Sequence, residues 1–147
     1  MYEATGWRRW MAIGVACAAV SCGDEGPEVV DLTGTWDATD AVVTNPAVPG
    51  QSADLMRLGL AFTLVIGPDG SAEATIDLAG DRDVEHGTIT LTGPNVTLML
   101  DGQINEGTWS LRGNRLTLDL RRGVEFDFDG TGQDEPATLL LVLVRRG

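Results

Sequence analysis

Apolar and polar residues alternate along most of the chain after residue 30, and no stretch there repeats with the helical period. In the segment 71–78, the residues Ser71, Glu73, Thr75 and Asp77 alternate with alanine, isoleucine and leucine. A period of two is typical of a strand that buries one face. Similar alternation marks 58–66, 88–92, 96–100 and 115–121.

Clusters of glycine, proline, asparagine and aspartate separate these segments. Short strands with turn signals about every 8 to 12 residues favour an antiparallel sandwich or barrel. We therefore predict an all-β domain of about eight strands, with Val124–Phe128 as a candidate ninth and a loop at 44–54. The expected strands lie near 32–43, 57–66, 71–78, 86–92, 96–101, 105–112, 115–122 and 137–145.

Three turn sequences predict how neighbouring strands pair, namely 67–71 (GPDGS), Pro94-Asn95 and Gly113-Asn114. Each turn places the apolar residues of its two strands on one face, as strand register requires. We therefore expect a meander of antiparallel strands that closes into a small lipocalin-like barrel with no exposed edge. The predicted pairs include Leu64 with Ala74, Leu91 with Leu98, Ile89 with Leu100, and Trp109 with Leu118.

The first 22 residues follow a different pattern. Arg8 and Arg9 precede an uncharged, mostly apolar run of eleven residues, 10–20, whereas a membrane-spanning helix needs about twenty. A basic start followed by a short apolar run describes a secretory signal peptide. The sequence Ala19-Val20-Ser21-Cys22 resembles the lipobox of bacterial lipoproteins. That resemblance implies the division 1–21 signal peptide, 22–30 lipidated tether and 31–147 barrel domain.

The lipobox resemblance also implies a cellular location. Cys22 would carry the lipid (palmitate among its acyl chains) and become the first mature residue, while Cys17 would leave with the signal peptide. Gly23 stands where some lipoproteins retained at the inner membrane have Asp, so we expect an exported protein on the outer membrane, facing the periplasm. Several acyl chains on one residue give firm anchoring, whereas a single chain holds only marginally.

Charge narrows the choice of partners. The 147-residue chain has 22 acidic and 10 basic residues and a formal net charge of −12, and all its basic residues are arginine. Such a charge repels nucleic acids and anionic lipid surfaces, which excludes nucleic-acid binding. The expected membrane contact is through the lipid anchor, and the sequence identifies no protein partner.

Two stretches carry a resemblance to a family. The sequence DLTGTWDAT, 31–39, resembles the Gly-x-Trp motif on the first strand of lipocalins and other calycins, and GTWSLRGNRLTLDL, 107–120, is similar to a late hairpin of bacterial lipocalin-like domains. The resemblance implies a β-barrel that binds hydrophobic molecules. It also implies that Trp36 closes one end, with Arg145 or Arg146 of the last strand packed over it.

The interior predicted by the alternation is apolar, which suits a pocket for a lipid-like molecule or a solid core. The first interpretation is a non-catalytic binder of a small hydrophobic molecule. The alternative is a structural or protein-interaction lipoprotein with a filled barrel, including an inhibitor of an exported enzyme. A connected apolar cavity of roughly 300 Å3 or more would favour the first. The predicted ligand-lining residues are Leu60, Phe62, Leu64, Ala74, Ile76, Leu98, Trp109 and Leu118.

Few residues offer catalytic or metal chemistry. His86 is the only histidine, so a usual zinc site or Ser-His-Asp triad is not expected, and we predict neither an enzyme nor a cofactor. A lone histidine binding haem iron is the alternative, but the acidic residues around His86 favour a solvated loop. In 127–135, Asp127, Asp129 and Thr131 match the first, third and fifth places of a calcium loop, although Thr138 stands at the twelfth. An acidic solvated loop is preferred there.

Overall fold

The computed structural model of the protein describes residues 29–147, so the expected signal peptide, Cys22 and most of the tether lie outside the described residues. A short 3-10 helix, Val29–Leu32, precedes the first strand. The strands are β1 Gly34–Thr44, β2 Ser52–Asp54, β3 Leu60–Ile66, β4 Ser71–Leu78, β5 Asp81–Thr92, β6 Asn95–Leu100, β7 Gln103–Arg112, β8 Arg115–Phe126 and β9 Glu135–Arg145.

The sheet closes on itself. Strands β3 to β9 pair in sequence order, all antiparallel, and β1 pairs with both β3 and β9. Eight strands thus form a closed barrel, which confirms the predicted all-β meander, while β2 is an extra strand paired with the end of β1. Closure satisfies the backbone groups that would otherwise lie open along a sheet edge.

No helix within residues 29–147 is both long and apolar enough to cross a lipid bilayer.

The alternating apolar residues meet inside the barrel. Leu64, Leu118 and Leu143 are fully buried and come from three different strands. Each large aliphatic side chain removed from water contributes roughly 1.5–3 kcal/mol, which makes this interior the main source of stability. The remaining buried apolar residues of the cluster are Leu32, Trp36, Ala41, Ile66, Ala72, Ala74, Ile89, Val96, Leu98, Leu100, Leu116, Leu120 and Leu141.

Two of the three predicted turns are confirmed. The Gly113-Asn114 hairpin pairs Trp109 with Leu118, as predicted. The 67–71 loop pairs Leu64 with Ala74, and its ends are joined by the Gly67 N–H donating to the Ser71 carbonyl at 2.9 Å.

The predicted Pro94-Asn95 turn is wrong by one position. The turn residues are Gly93 and Pro94, so Thr92 pairs with Asn95 and Ile89 pairs with Leu98 instead of Leu100. A two-residue hairpin needs positive φ at its first central residue, which proline cannot adopt and which Gly93 adopts at 56°. The resulting shift is two residues, so the apolar face is unchanged.

Several strand limits also differ from the prediction. Strand β5 begins at Asp81, so the acidic stretch before His86 is strand and not loop. Most of the candidate ninth strand, Val124–Phe128, is the end of β8, which continues past an irregularity between Leu120 and Val124 and ends at Phe126. The 44–54 loop contains β2. A strand with charged inward residues or irregular pairing does not show the apolar alternation, so that pattern alone does not predict its full length.

Candidate ligand site at the open end of the barrel

The two ends of the barrel differ. At one end lie the start of β1, the β3–β4, β5–β6 and β7–β8 turns, and the last residues of β9. At the other end lie the β4–β5 and β6–β7 turns and the longer segments 45–59 and 127–134. Because strands of a meander alternate in direction, connections also alternate between the two ends. We call these the closed end and the open end.

Trp36 fills the closed end. Its ring is fully buried, and its Nε1–H donates to the carbonyl of Leu32 at 2.8 Å, which holds the 3-10 helix over the barrel. The guanidinium carbon of Arg145 lies 4.5 Å from the ring centroid, a cation–π distance. Arg145 also donates to the carbonyls of Thr33 at 2.9 Å and Asp31 at 2.7 Å. Arg145, rather than its neighbour, therefore packs over Trp36.

Arg146 points to a different partner. Its Nε and Nη2 donate to the two carboxylate oxygens of Asp37, and the Nε bond is 2.9 Å. The Arg146 guanidinium, with a hydrogen bond from Thr63, lowers the pKa of Asp37 below its ordinary value despite some desolvation. This exposed pair ties β9 to β1 on the outer face, where an ion pair contributes at most about 1 kcal/mol.

The open end contains a cavity of about 470 Å3. The bottom of the cavity is formed by Leu98, Leu100 and Leu141, which belong to the buried core. Half-buried side chains form the wall nearer solvent. Cavities that hold small organic ligands usually measure about 300–1,000 Å3. The apolar lining consists of Phe62, Ile76, Leu98, Leu100, Leu120, Val124, Leu139 and Leu141.

Polar residues surround the entrance to this cavity. Glu85, Asp101 and Glu125 line it, and we call them the mouth carboxylates. Two amides join them, each donating to a backbone carbonyl: Gln103 Nε2 to Gly123 at 2.6 Å, and Asn105 Nδ2 to a β6 carbonyl at 3.3 Å. The lining includes no arginine or histidine. The cavity thus combines apolar walls with a negatively charged entrance.

Glu85 is a half-buried mouth carboxylate on the inside of the barrel. It pairs in the sheet with fully buried Ala74, which places it on the inward face of β5. Burial, and then repulsion by Asp101 and Asp83, raise the pKa of Glu85 above its ordinary value. Within residues 29–147 its carboxylate accepts no hydrogen bond and forms no ion pair.

The predicted ligand-lining residues divide into three groups. Phe62, Ile76 and Leu98 line the cavity. The second group, Leu64, Ala74 and Leu118, lies in the solid core between the cavity and the closed end. Leu60 and Trp109 are partly buried against the core without lining the cavity, and Trp109 Nε1 donates to the carbonyl of Gly93 at 2.9 Å.

The polar part of the site was missing from the sequence prediction. A signal for it exists in β5, because the period-two series that contains Ile89 and Gly87 continues backwards through Glu85 and Asp83. The same holds in β7, where Asn105 and Gln103 continue the series. An inward face that changes from apolar to polar along one strand indicates a barrel entrance. A strand prediction based on apolar alternation ends at that change and therefore omits the polar residues.

The other candidate residues lie away from this cavity. His86 is on the outer face of β5, with its Nδ1 3.5 Å from a carboxylate oxygen of Glu73. In the 127–135 loop, the carboxylate of Asp127 accepts backbone N–H bonds from Gly130, Thr131 and Gly132. These bonds hold the conformation of the loop. No group of three or more potential ligands within residues 29–147 is arranged to hold a metal ion.

No protein-family model matches the chain, and no curated protein matches it either.

Proposed function

We propose that this protein is a lipid-anchored, lipocalin-like protein of the cell envelope that binds a small hydrophobic molecule without chemical change. The observation that carries the binding proposal is the cavity of about 470 Å3 at the open end, with its apolar walls. Trp36 and Arg145 fill the opposite end, so the cavity opens at one end of the barrel only. Binding in such a cavity is favoured because apolar surface of the ligand is removed from water.

A structural or protein-interaction role is the second candidate, and one observation favours it. The half of the interior around Trp36, Leu64 and Leu118 is packed solid. An apolar ligand would therefore reach only the half of the barrel near the open end. The two candidates differ in whether that half takes up a small molecule.

We expect the protein to bind the neutral fluorescent probe N-phenyl-1-naphthylamine saturably, with a Kd in the micromolar range. The full chain carrying Cys22→Ser suits the titration, because it carries no acyl chain that could compete with the probe. The Val124→Trp variant places a large ring in the cavity and is expected to weaken binding by roughly tenfold or more.

Ile104→Trp is the matched control for this titration. Ile104 is 51% exposed on the outer face of the neighbouring strand, so the same ring is added outside the barrel. Unchanged binding in this control and weakened binding in Val124→Trp would support the proposal. If the probe fails to saturate, or both variants bind it as the parent does, the cavity is not a ligand site and the structural role is preferred.

The lipid anchor is supported by the sequence alone, through the lipobox resemblance at Cys22. We expect the chain produced in a bacterial host to incorporate an alkyne-labelled palmitate and to fractionate with membranes. Cys22→Ser is expected to abolish both, whereas Cys17→Ser, which changes the other cysteine, is expected to change neither. Labelling that persists in Cys22→Ser, or is lost in Cys17→Ser, would refute the assignment.

A further inference from the structure

We propose that the open-end cavity selects amphipathic organic cations, with the apolar part of the ligand inside the barrel and an ammonium-type head beside Glu85 and Asp101. This inference rests on the proposed ligand-binding function and names its substrate class. It changes the expectation drawn from the apolar strands alone, which was a purely hydrophobic ligand.

The mouth carboxylates line a cavity that has no basic side chain in its lining. Five other carboxylates of residues 29–147 form ion pairs, among them Asp37 with Arg146 and Glu106 with Arg122. None of the ion pairs in this part of the chain includes a mouth carboxylate. Carboxylates that face a cavity without a protein cation are stabilised by a ligand that brings one.

The mouth carboxylates also differ in how their oxygens are used. Asp101 Oδ1 accepts the His86 N–H at 2.9 Å, which fixes the β6–β7 turn. Within residues 29–147, Glu85 and Glu125 accept no hydrogen bond from a side chain or a turn. The Glu85 carboxylate, on the inward face of β5, is therefore available to a donor, and an ammonium head supplies up to three. Glu125 pairs with exposed Pro136, so it adds negative charge at the rim from the outer side of β8.

A metal ion is a poorer occupant than an organic cation. A calcium ion needs six to eight oxygens at about 2.3–2.6 Å, converging on one point. The acidic side chains of residues 29–147 form no group arranged in that way. Carboxylates spread around the rim of an apolar cavity suit a larger cation whose charge lies beside apolar surface.

Three decyl compounds with the same tail test the inference, namely decylammonium, 1-decanol and decanoate. Each is titrated at pH 7 into the full chain carrying Cys22→Ser by displacement of N-phenyl-1-naphthylamine. We expect decylammonium to bind about tenfold more tightly than decanol, because a charge-assisted hydrogen bond is gained, and decanoate to bind most weakly. Glu85→Gln is expected to remove most of the preference for the cation, and Glu125→Gln part of it.

Glu73→Gln is the control, since it removes the same charge from the outer face of the strand next to β5. It is expected to leave the preference unchanged. Glu85→Gln should fold: the folded protein disfavours the ionised carboxylate, a penalty absent at low pH and fully present above the raised pKa. Its melting temperature at pH 7 is therefore expected to equal or exceed that of the parent.

The outcomes distinguish failure of the ligand-binding proposal from failure of the proposed preference for a cation. If the probe itself does not bind, the ligand-binding function fails, and the inference fails with it. If the probe binds but decylammonium does not displace it, ligand binding stands and the choice of a cation is wrong. If all three bind alike, or decanoate binds best, ligand binding stands and the choice of a cation is wrong. Equal effects of Glu85→Gln and Glu73→Gln would also overturn the inference, because they would show a response to overall charge only.

Discussion

Replacing Trp36 with alanine is expected to lower the free energy of unfolding by about 3–5 kcal/mol, the usual cost of deleting a fully buried large aromatic side chain. The indole is packed between the strands and the 3-10 helix, so its loss leaves a void that the closed sheet cannot collapse around. The carbonyl of Leu32 also loses its donor, and Arg145 loses the ring beneath it. Urea unfolding at pH 7 measures the change.

Trp109→Ala is the comparison for this experiment. Trp109 also donates a hydrogen bond to a backbone carbonyl, but its ring is only partly buried, so its loss is expected to cost clearly less. Trp36→Phe keeps an aromatic ring and is expected to fall between the parent and Trp36→Ala. Equal costs for Trp36→Ala and Trp109→Ala would contradict the assignment of Trp36 as the residue that closes the barrel.

The closed end was largely predictable from sequence, because its signals are local. The Gly-x-Trp stretch, the alternation of β3 with β4 and the Gly113-Asn114 turn all depend on residues close together in the chain. The long-range pairing of β1 with β9 was anticipated through closure and through the arginine expected over Trp36. The choice between Arg145 and Arg146 needed coordinates, since a one-residue step moves a side chain to the opposite face.

The open end was not predictable in the same way. Its chemistry comes from polar residues on β5, in the β6–β7 turn and on β7, which the apolar alternation assigns to a loop or to the outer face. Glu85 becomes part of a site only because the barrel brings Asp101 beside it from the next turn. Whether residues of different strands approach one another in this way depends on how strongly the sheet coils. The sequence indicates the degree of coiling only indirectly, through inward-facing glycines.

Gly107→Ala is expected to destabilise the protein by about 2–3 kcal/mol or more, through overpacking against backbone. A Cβ atom at Gly107 would overlap the carbonyl oxygen of Asp119 on β8 and lie 2.8 Å from the Cα of Leu120. Backbone on a paired strand cannot move aside as a flexible side chain can. The pairing of β7 with β8 shifts register between Glu106 and Gly107, so the closest approach coincides with an irregularity of the strand pairing.

Gly102→Ala separates this clash from the general cost of replacing glycine. Gly102 lies in the β6–β7 turn at a φ of 83°, where an added Cβ meets no atom within 4 Å, so only left-handed strain of about 1–2 kcal/mol is expected. Gly87→Ala should resemble Gly107→Ala, because its Cβ would overlap the carbonyl oxygen of Met99 on β6. Denaturant midpoints for the three variants rank these costs. If Gly107→Ala and Gly87→Ala prove no more destabilising than Gly102→Ala, close approach at inward glycines does not determine the coil of the barrel, and the convergence of residues at its open end needs another cause.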